Sequence, residues 1–577
     1  MRTARFDQYE LDVESGELRG ASSTIRLQIK PLELLLLLLE QPGEVVTGEA
    51  IRARLWPVGT VVEFDHGIAT ALKKLRRALG DDAARPRYIE TLPRRGYRWT
   101  CAVDWSGTTQ AVVGAVDAIA VLPFVNLSVD KENEYFSDGL AEEILNLLTR
   151  VPGLCVIART SAFVFRGSGL DIRTIGRTLG VQTILEGSVR RAGTRIRVTA
   201  QLIDAAAGLH LWSERYDREL TDIFAVQDEI AEAIVGKLRR HRGASAKAAA
   251  RPTANLDAYD AYLKGRYHAA TVTPDAAGRA RGFFEQAIAL DPSYAPAYTG
   301  LARSLLISVQ FGLKSGRELM PQMKAAALRA VALDDQEAEA QAMLGIVAGA
   351  FDYDWTEALR RCRLALACEP ALPAACHMCA QFILIPQRRF EEAVAVLERV
   401  LVEDPLAPLS RKTLAEALFM GDLDPQRAID ELQRLIEWDD RFWLAHFTLA
   451  NIFAETGMTR EAIGAYEKGL AIAPFPPLIG GLASVYARAG DHARAEDLLR
   501  RLDAPEHANN RSKSYMFFHL DRLELDPAAH YLAEMIEARD PDVIWVACHR
   551  SIERLKQHAR FGELLRKMNL TSVAHTS

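Results

Sequence analysis

The spacing of apolar residues changes character three times along this chain, and each change predicts a different structure. Near the N-terminus, Ile68, Leu72, Leu75 and Leu79 fall within a narrow arc at about 100° per residue, the buried stripe of an amphipathic helix. Gly80 suits a helix C-cap and is followed by Asp81 and Asp82. Tyr88–Leu92 and Tyr97–Thr100 then read as two strands joined by the turn Pro93-Arg94-Arg95-Gly96. From Asp117 to about Arg240 the pattern is mixed. Strands are predicted at Ala118–Phe124, Leu154–Ala158, Thr183–Arg190, Arg195–Ile203 and Leu209–Tyr216, with turns at Gly193 and Gly208. Helices are predicted at Gly139–Arg150, capped by Ser137 or Asp138, at Asp171–Leu179 and at Asp222–Leu238. His241–Asn255 is a low-complexity hinge.

Beyond the hinge, small and large apolar residues recur with a period of about 34. The clearest copy is Leu449-Ala450, Ala462, Tyr466, Gly469 and Pro474. Ala280, Phe284, Ala287 and Pro292 keep the later spacings, as do Ala358, Cys362, Ala365 and Pro370, and Ala393, Leu397, Val400 and Pro405. Ala428, Leu432 and Leu435 repeat them with Asp440 in place of Pro, and Leu482-Ala483, Tyr486, Ala495 and Leu499 form a degenerate copy. These spacings match tetratricopeptide (TPR) repeats, in which small residues admit a neighbouring helix, large ones fill the gap and Pro ends the second helix. About six units span 256–503, with further helices over 504–577. The expected product is an all-α superhelix whose concave groove takes a protein or peptide; the bland alternative is a scaffold that packs only on its own chain.

Charge sharpens the reading of the first region. Opposite the apolar stripe lie His66, Thr70, Lys73 and Arg77, with Lys74 beside them. Between Phe64 and Thr100, nine Lys and Arg stand against four Asp and Glu, a net +5 in a chain of formal net charge -6. A charged helix face is usually just solvated. A basic hairpin placed directly after it turns the reading toward double-stranded DNA, with the helix in a major groove and the hairpin tip near phosphates or a minor groove. The candidate DNA contacts are His66, Thr70, Lys73, Lys74, Arg76 and Arg77 on the helix, Arg87 before the hairpin, and Arg94, Arg95 and Tyr97 within it.

The closing pattern RYIETLPRRGYRW resembles the winged helix-turn-helix domain of OmpR/PhoB- and ToxR/CadC-type transcriptional regulators. The resemblance reaches back to the N-terminus. It implies leading strands from Arg5-Phe6 to Leu18-Arg19 and at Ile25–Leu27, a first helix at Pro31–Glu40, and a second helix capped by Thr47 and stopped by Pro57. It also implies that the loop at 57–63 touches RNA polymerase and that copies bind tandem sites as a homodimer. Two departures stand out. No receiver domain precedes the winged helix in this sequence, so control independent of a phosphorelay is expected. No membrane helix follows it, since no apolar run approaches the ~18–20 residues of a span.

The middle region resembles the TolB-like N-terminal-type domain on IAVLPFVNLS, EYFSDGLAEEI, ARTSAFVFRG and the long stretch from IGRTLG to DEIA. Its polar residues Arg159, Ser161, Glu186, Ser188, Arg190, Gln201, Asp204 and Arg215 are candidates to line a sensing site; the alternative is strand-end hydrogen bonding and surface ion pairs. Cys376-His377-Met378-Cys379, with Cys362 and Cys368, invites a metal reading, but Cys362 occupies a core repeat position, so buried packing is favoured and no metal or cofactor is expected. No nucleophile elbow or His-Glu metal motif appears, and an enzyme is not expected.

The expected fold class is therefore multidomain α+β: a winged-helix DNA-binding domain (1–103), a linker (104–116), a mixed α/β TolB-like domain (117–240), a linker (241–255), a TPR superhelix (256–503) and C-terminal helices (504–577). The expected function is a cytoplasmic one-component regulator of promoter DNA. Its alternatives are a TPR adaptor whose winged helix binds protein, and an enzyme hidden in the middle domain.

Overall fold

A computed structural model describes the chain apart from residues 1–2, 8, 13–16, 21–23, 28, 41, 44, 49–50, 53–63, 83–84, 93–94, 102, 107–116, 129, 131–132, 152, 239–252, 271–272, 369–371, 505–506, 508, 510, 549–551 and 571–577. It divides into two units, Met1–Val116 and Asp117–Ser577.

The first unit opens with an antiparallel sheet in the order Thr24–Arg26, Glu17–Arg19, Tyr9–Asp12, Thr3–Phe6, Asp104–Ser106. The last strand corrects the expected linker at 104–116: Asp104 and Ser106 pair with Arg5 and Thr3. Only three residues long, it carries no periodicity of its own, and the sheet edge left by Thr3–Phe6 is what orders it. The helix Ile29–Glu40 buries Leu34, Leu35, Leu38 and Leu39 completely. Of the expected second helix, Gly48, Ile51 and Arg52 are helical; the remainder, with the loop at 57–63, lies outside the described residues. The helix Phe64–Leu79 buries Ile68, Leu72, Leu75 and Leu79, as the wheel predicts. A small sheet follows in the order Val45–Val46, Gly96–Trp99, Ile89–Leu92. Phe6, Tyr88 and Trp99 join the two sheets: Trp99 meets Phe6 edge-on at 5.0 Å and stacks on Tyr88 at 5.8 Å.

The second unit begins with a mixed sheet in the order Leu154–Val156, Asp117–Val121, Thr183–Ala192, Arg195–Asp204, Leu209–Glu219. The first three strands run parallel and the last three antiparallel. The helix Glu134–Thr149 starts earlier than its sequence pattern predicts. Asn133 is the N-cap, while Ser137 and Asp138 are buried inside the helix and cap nothing. Phe136 explains the extension, because Phe136, Leu140 and Ile144 form one buried i, i+4, i+8 stripe. Asp171 does cap the helix Ile172–Leu179, accepting from Thr174 N at 3.0 Å, and Gly180 ends it at φ 69°.

Helical hairpins then follow one another. Among the described residues, seven run from Leu256 to Leu502 and an eighth covers Arg511–Ala538, so the repeat is longer than its sequence signature. The repeat positions are the core: Ala280, Phe284, Ala287, Ala358, Ala365, Ala393, Leu397, Ala428 and Leu432 are all 0% exposed. Packing shows why small residues recur. A Cβ on Gly265 or on Gly300 would come within 2.7 Å or 2.5 Å of the Phe284 ring, so the two glycines clasp that ring from adjacent helices. Two short helices continue as π-helical turns, Val347–Phe351 and Ala380–Leu384. Pro370 lies outside the described residues.

The sheet layer and the array share one core rather than standing apart. Tyr259 and Tyr262 of the helix Leu256–Ala269 pack with Phe224, Ile230 and Leu140. Tyr135 donates to Asp260 at 2.6 Å, and Ser161 N donates to Asp404 at 3.0 Å. No helix among the described residues is long and apolar enough to cross a membrane.

Candidate nucleic-acid interface

The helix Phe64–Leu79 separates its faces sharply. Leu75 and Leu79 are 0% and 1% exposed, whereas Thr70, Lys73, Lys74 and Arg77 are exposed. The helix ends in a left-handed Gly80, φ 60°, and Asp81 N donates back to Arg76 O at 2.9 Å. Tyr9 hydroxyl donates to the terminal Leu79 carbonyl at 3.0 Å. These contacts fix the angle at which the helix presents its cations.

Arg76 stands apart from the other cations of the helix. It is half-buried and donates to Ile89 O at 2.9 Å and to Thr91 Oγ1 at 2.8 Å. It therefore joins helix to wing rather than pointing outward. Asp81, whose side chain is fully buried, is the counterpart: its carboxylate accepts from the backbone N–H of Arg87 at 2.7 Å and of Tyr88 and Ile89 at 3.1 Å. The acidic turn after the helix, read from sequence only as punctuation, is the anchor that starts the wing. Asp-rich turns are common enough that spacing alone gave no signal of this.

The wing is built on a close approach. At Gly96, φ 136°, an added Cβ would lie 2.1 Å from Val46 O, so only glycine lets this strand pair with Val45–Val46. Arg98 forks onto Glu90 across the hairpin at 3.0 and 2.6 Å. Arg95 is exposed at the tip and Tyr97 is half-buried on the strand. Arg87 is exposed and ion-pairs Asp7 at 2.8 Å. Tyr88 donates to the same carboxylate, and burial, followed by that hydrogen bond, raises its phenol pKa. Arg94 lies outside the described residues, and of His66 only the helical backbone is described. The structure thus brings Thr70, Lys73, Lys74 and Arg77 onto one exposed face, with Arg95 on the neighbouring hairpin.

The middle-region candidates separate. Glu186, Ser188, Arg190, Gln201 and Arg215 share one sheet face by register, opposite the buried Leu185, Val189, Val198 and Leu202. Asp204 holds a turn through Ala206 N and Ala207 N. Cys362, Cys368, Cys376 and Cys379 are free thiols buried in the array core.

Residues 22–99 match the family described as Transcriptional regulatory protein, C terminal. Over 190 residues, 33% of this chain and 32% of the relative, the chain is 45% identical to a protein of Rhizobium meliloti (strain 1021) named "Putative adenylate cyclase 3". Over 346 residues, 59% of this chain and 60% of the relative, it is 24% identical to Transcriptional regulator HilA of Salmonella typhimurium. The chain thus spans about a third and 60% of the length of these two relatives. Among solved structures, the DNA binding domain of E. coli CadC aligns at 22% identity over 18% of this chain and 98% of that one, with a TM-score of 0.17. The segment 22–99 is similar to the C-terminal domain of transcriptional regulatory proteins.

Proposed function

We propose that this protein regulates transcription by laying the helix Phe64–Leu79 in the major groove of promoter DNA. Thr70, Lys73, Lys74 and Arg77 face the duplex, and Arg95 at the wing tip reaches phosphates or the adjacent minor groove. The observation that carries this reading is the single exposed face of Thr70, Lys73, Lys74 and Arg77, opposite a fully buried Leu75. Arg76 positions the wing and Arg87 is shared with Asp7, so neither is assigned to base reading. One winged helix makes few base contacts, so two copies on repeated half-sites supply useful specificity. The loop at 57–63 remains assigned to RNA polymerase by resemblance alone. The α/β layer, TolB-like by its sequence, and the TPR-like array form the sensing part.

Gel-shift titration of the full chain tests this. With roughly five phosphate contacts, the log–log salt slope is expected near -4 to -5. Lys73→Ala with Arg77→Ala should abolish binding at unchanged melting temperature. Salt-insensitive or absent duplex binding would leave the adaptor reading in its place. The 45% identity to the protein named as a cyclase favours a second reading, catalysis. Incubation with ATP and measurement of cyclic AMP decides it.

A further inference from the structure

A cavity of about 1370 Å³ lies inside the second unit, walled by the sheet layer on one side and by the array on the other. Where the two meet, five charges converge. Arg159 Nε lies 3.2 Å from Glu142, Arg266 pairs with the same carboxylate, and Arg303 lies 3.9 Å from Glu339. Three guanidinium groups thus share two carboxylates.

The guanidinium donors are also under-used. Each carries five N–H groups. Arg159 Nε is buried without a hydrogen-bond partner among the described residues. Arg303 makes only its 3.9 Å contact there, too long for a hydrogen bond. Two lysines on the wall are matched one to one: Lys412 with Glu416 at 2.8 Å, and Lys513 with Asp542. Asp404, on the same wall, is taken by Ser161. His377 adds no charge, because burial, then Lys412 and Arg303, hold its pKa down to about 3. Away from these three arginines the wall combines aromatic side chains with further charged ones, among them Asp439, Arg441, Glu455 and Arg488. The π-helical turn contributes Phe382, and Trp443 lies against Phe475 with ring centres 5.0 Å apart. An aromatic wall beside converging polar groups is a usual feature of a small-molecule site.

We propose that this cavity binds a small organic anion, a carboxylate or phosphate on an apolar body. Arg159, Arg266 and Arg303 hold the anionic group with the N–H donors left over, and the aromatic wall holds the body. The inference deepens the reading that the second unit senses a signal, and rests on it for its regulatory meaning. A ligand there touches both the sheet layer and the array, so it favours whichever packing of the two fits it best.

The test uses the full chain with octanoate, octyl phosphate, 1-octanol and inorganic phosphate, read by thermal shift and calorimetry. At least one octyl anion should bind saturably and raise the melting temperature, more strongly than 1-octanol or phosphate alone. Whether octanoate or octyl phosphate binds tighter identifies the anionic group. Arg303→Gln should weaken that binding at least about tenfold. Arg303→Lys, which keeps the charge, serves if the glutamine variant fails to fold, and should weaken it less. Equal binding of 1-octanol and the anions, no saturable binding of either anion, or unchanged affinity in a folded Arg303 variant overturns the proposal. Gel shifts on the same preparations keep the two readings separate. DNA binding without anion binding refutes the cavity site alone, and anion binding without DNA binding refutes the DNA reading alone.

Discussion

Asp81→Ala should unlock the wing from the helix Phe64–Leu79. One carboxylate, fully buried, accepts the backbone N–H groups of Arg87, Tyr88 and Ile89, which lead into the first wing strand, at 2.7, 3.1 and 3.1 Å. Arg76 Nε lies 3.8 Å from the same carboxylate and has no hydrogen-bond partner of its own among the described residues. Hydrogen bonds to a charged acceptor contribute about 1.5–3 kcal/mol each. Three donors on one group do not add independently. A loss of about 3–5 kcal/mol is therefore expected, because truncation strands several donors at once. For a unit of roughly 100 residues each kcal/mol moves the melting temperature by about 4–8 °C. The first unit should then melt at least about 12 °C lower. Asp81→Asn keeps one acceptor oxygen and should lose about 1–2 kcal/mol. Hydrogen exchange by mass spectrometry on the full chain reads this locally. Peptides over Arg87–Trp99 should exchange faster, while those over the array keep their wild-type rates. Wild-type protection of the Arg87, Tyr88 and Ile89 amides in the alanine variant would refute the reasoning, since those amides would then have another acceptor.

Three further outcomes follow from the same geometry. Arg76→Ala should lower both the stability of the first unit and its DNA affinity, unlike the Lys73/Arg77 pair; calorimetry beside gel shifts separates the two, and unchanged stability would return Arg76 to the DNA face. Gly96→Ala forces a Cβ to 2.1 Å from Val46 O at a φ of 136°, so it should destabilise the wing by about 1–3 kcal/mol or more, measured by denaturant titration; a wild-type midpoint would contradict the close approach. Glu337, whose pKa burial and then Glu339 raise to about 7, holds its proton more tightly folded than unfolded. Its contribution to stability is greatest below about pH 4.5 and falls as pH rises through about 7, so melting curves of wild type and Glu337→Gln should diverge over that window; parallel curves would show that Glu337 ionises freely.

Local pattern made much of this molecule legible. The stripe Ile68, Leu72, Leu75 and Leu79 is periodic, and all four residues are buried. The repeat positions from Ala280 to Tyr466 could be read because each hairpin packs chiefly on its sequence neighbours, so its requirements recur at a fixed spacing. What stayed hidden depends on partners far away in sequence. Asp104–Ser106 is a strand only because Thr3–Arg5 offers an edge about a hundred residues earlier. Arg76 resembled a DNA contact because the wheel places it near Lys73 and Arg77, yet the wing strand folds back to claim it through Ile89 and Thr91. Ser161 is tied to Asp404 across a separation of 243 residues, and no periodicity connects them. The cavity is the extreme case, since Arg159, Arg266 and Arg303 come from three elements whose convergence exists only once the array has closed against the sheet. Residue types alone can mark a functional site when one helix or hairpin builds it. A site assembled where separate repeats meet has to be read from the packed chain.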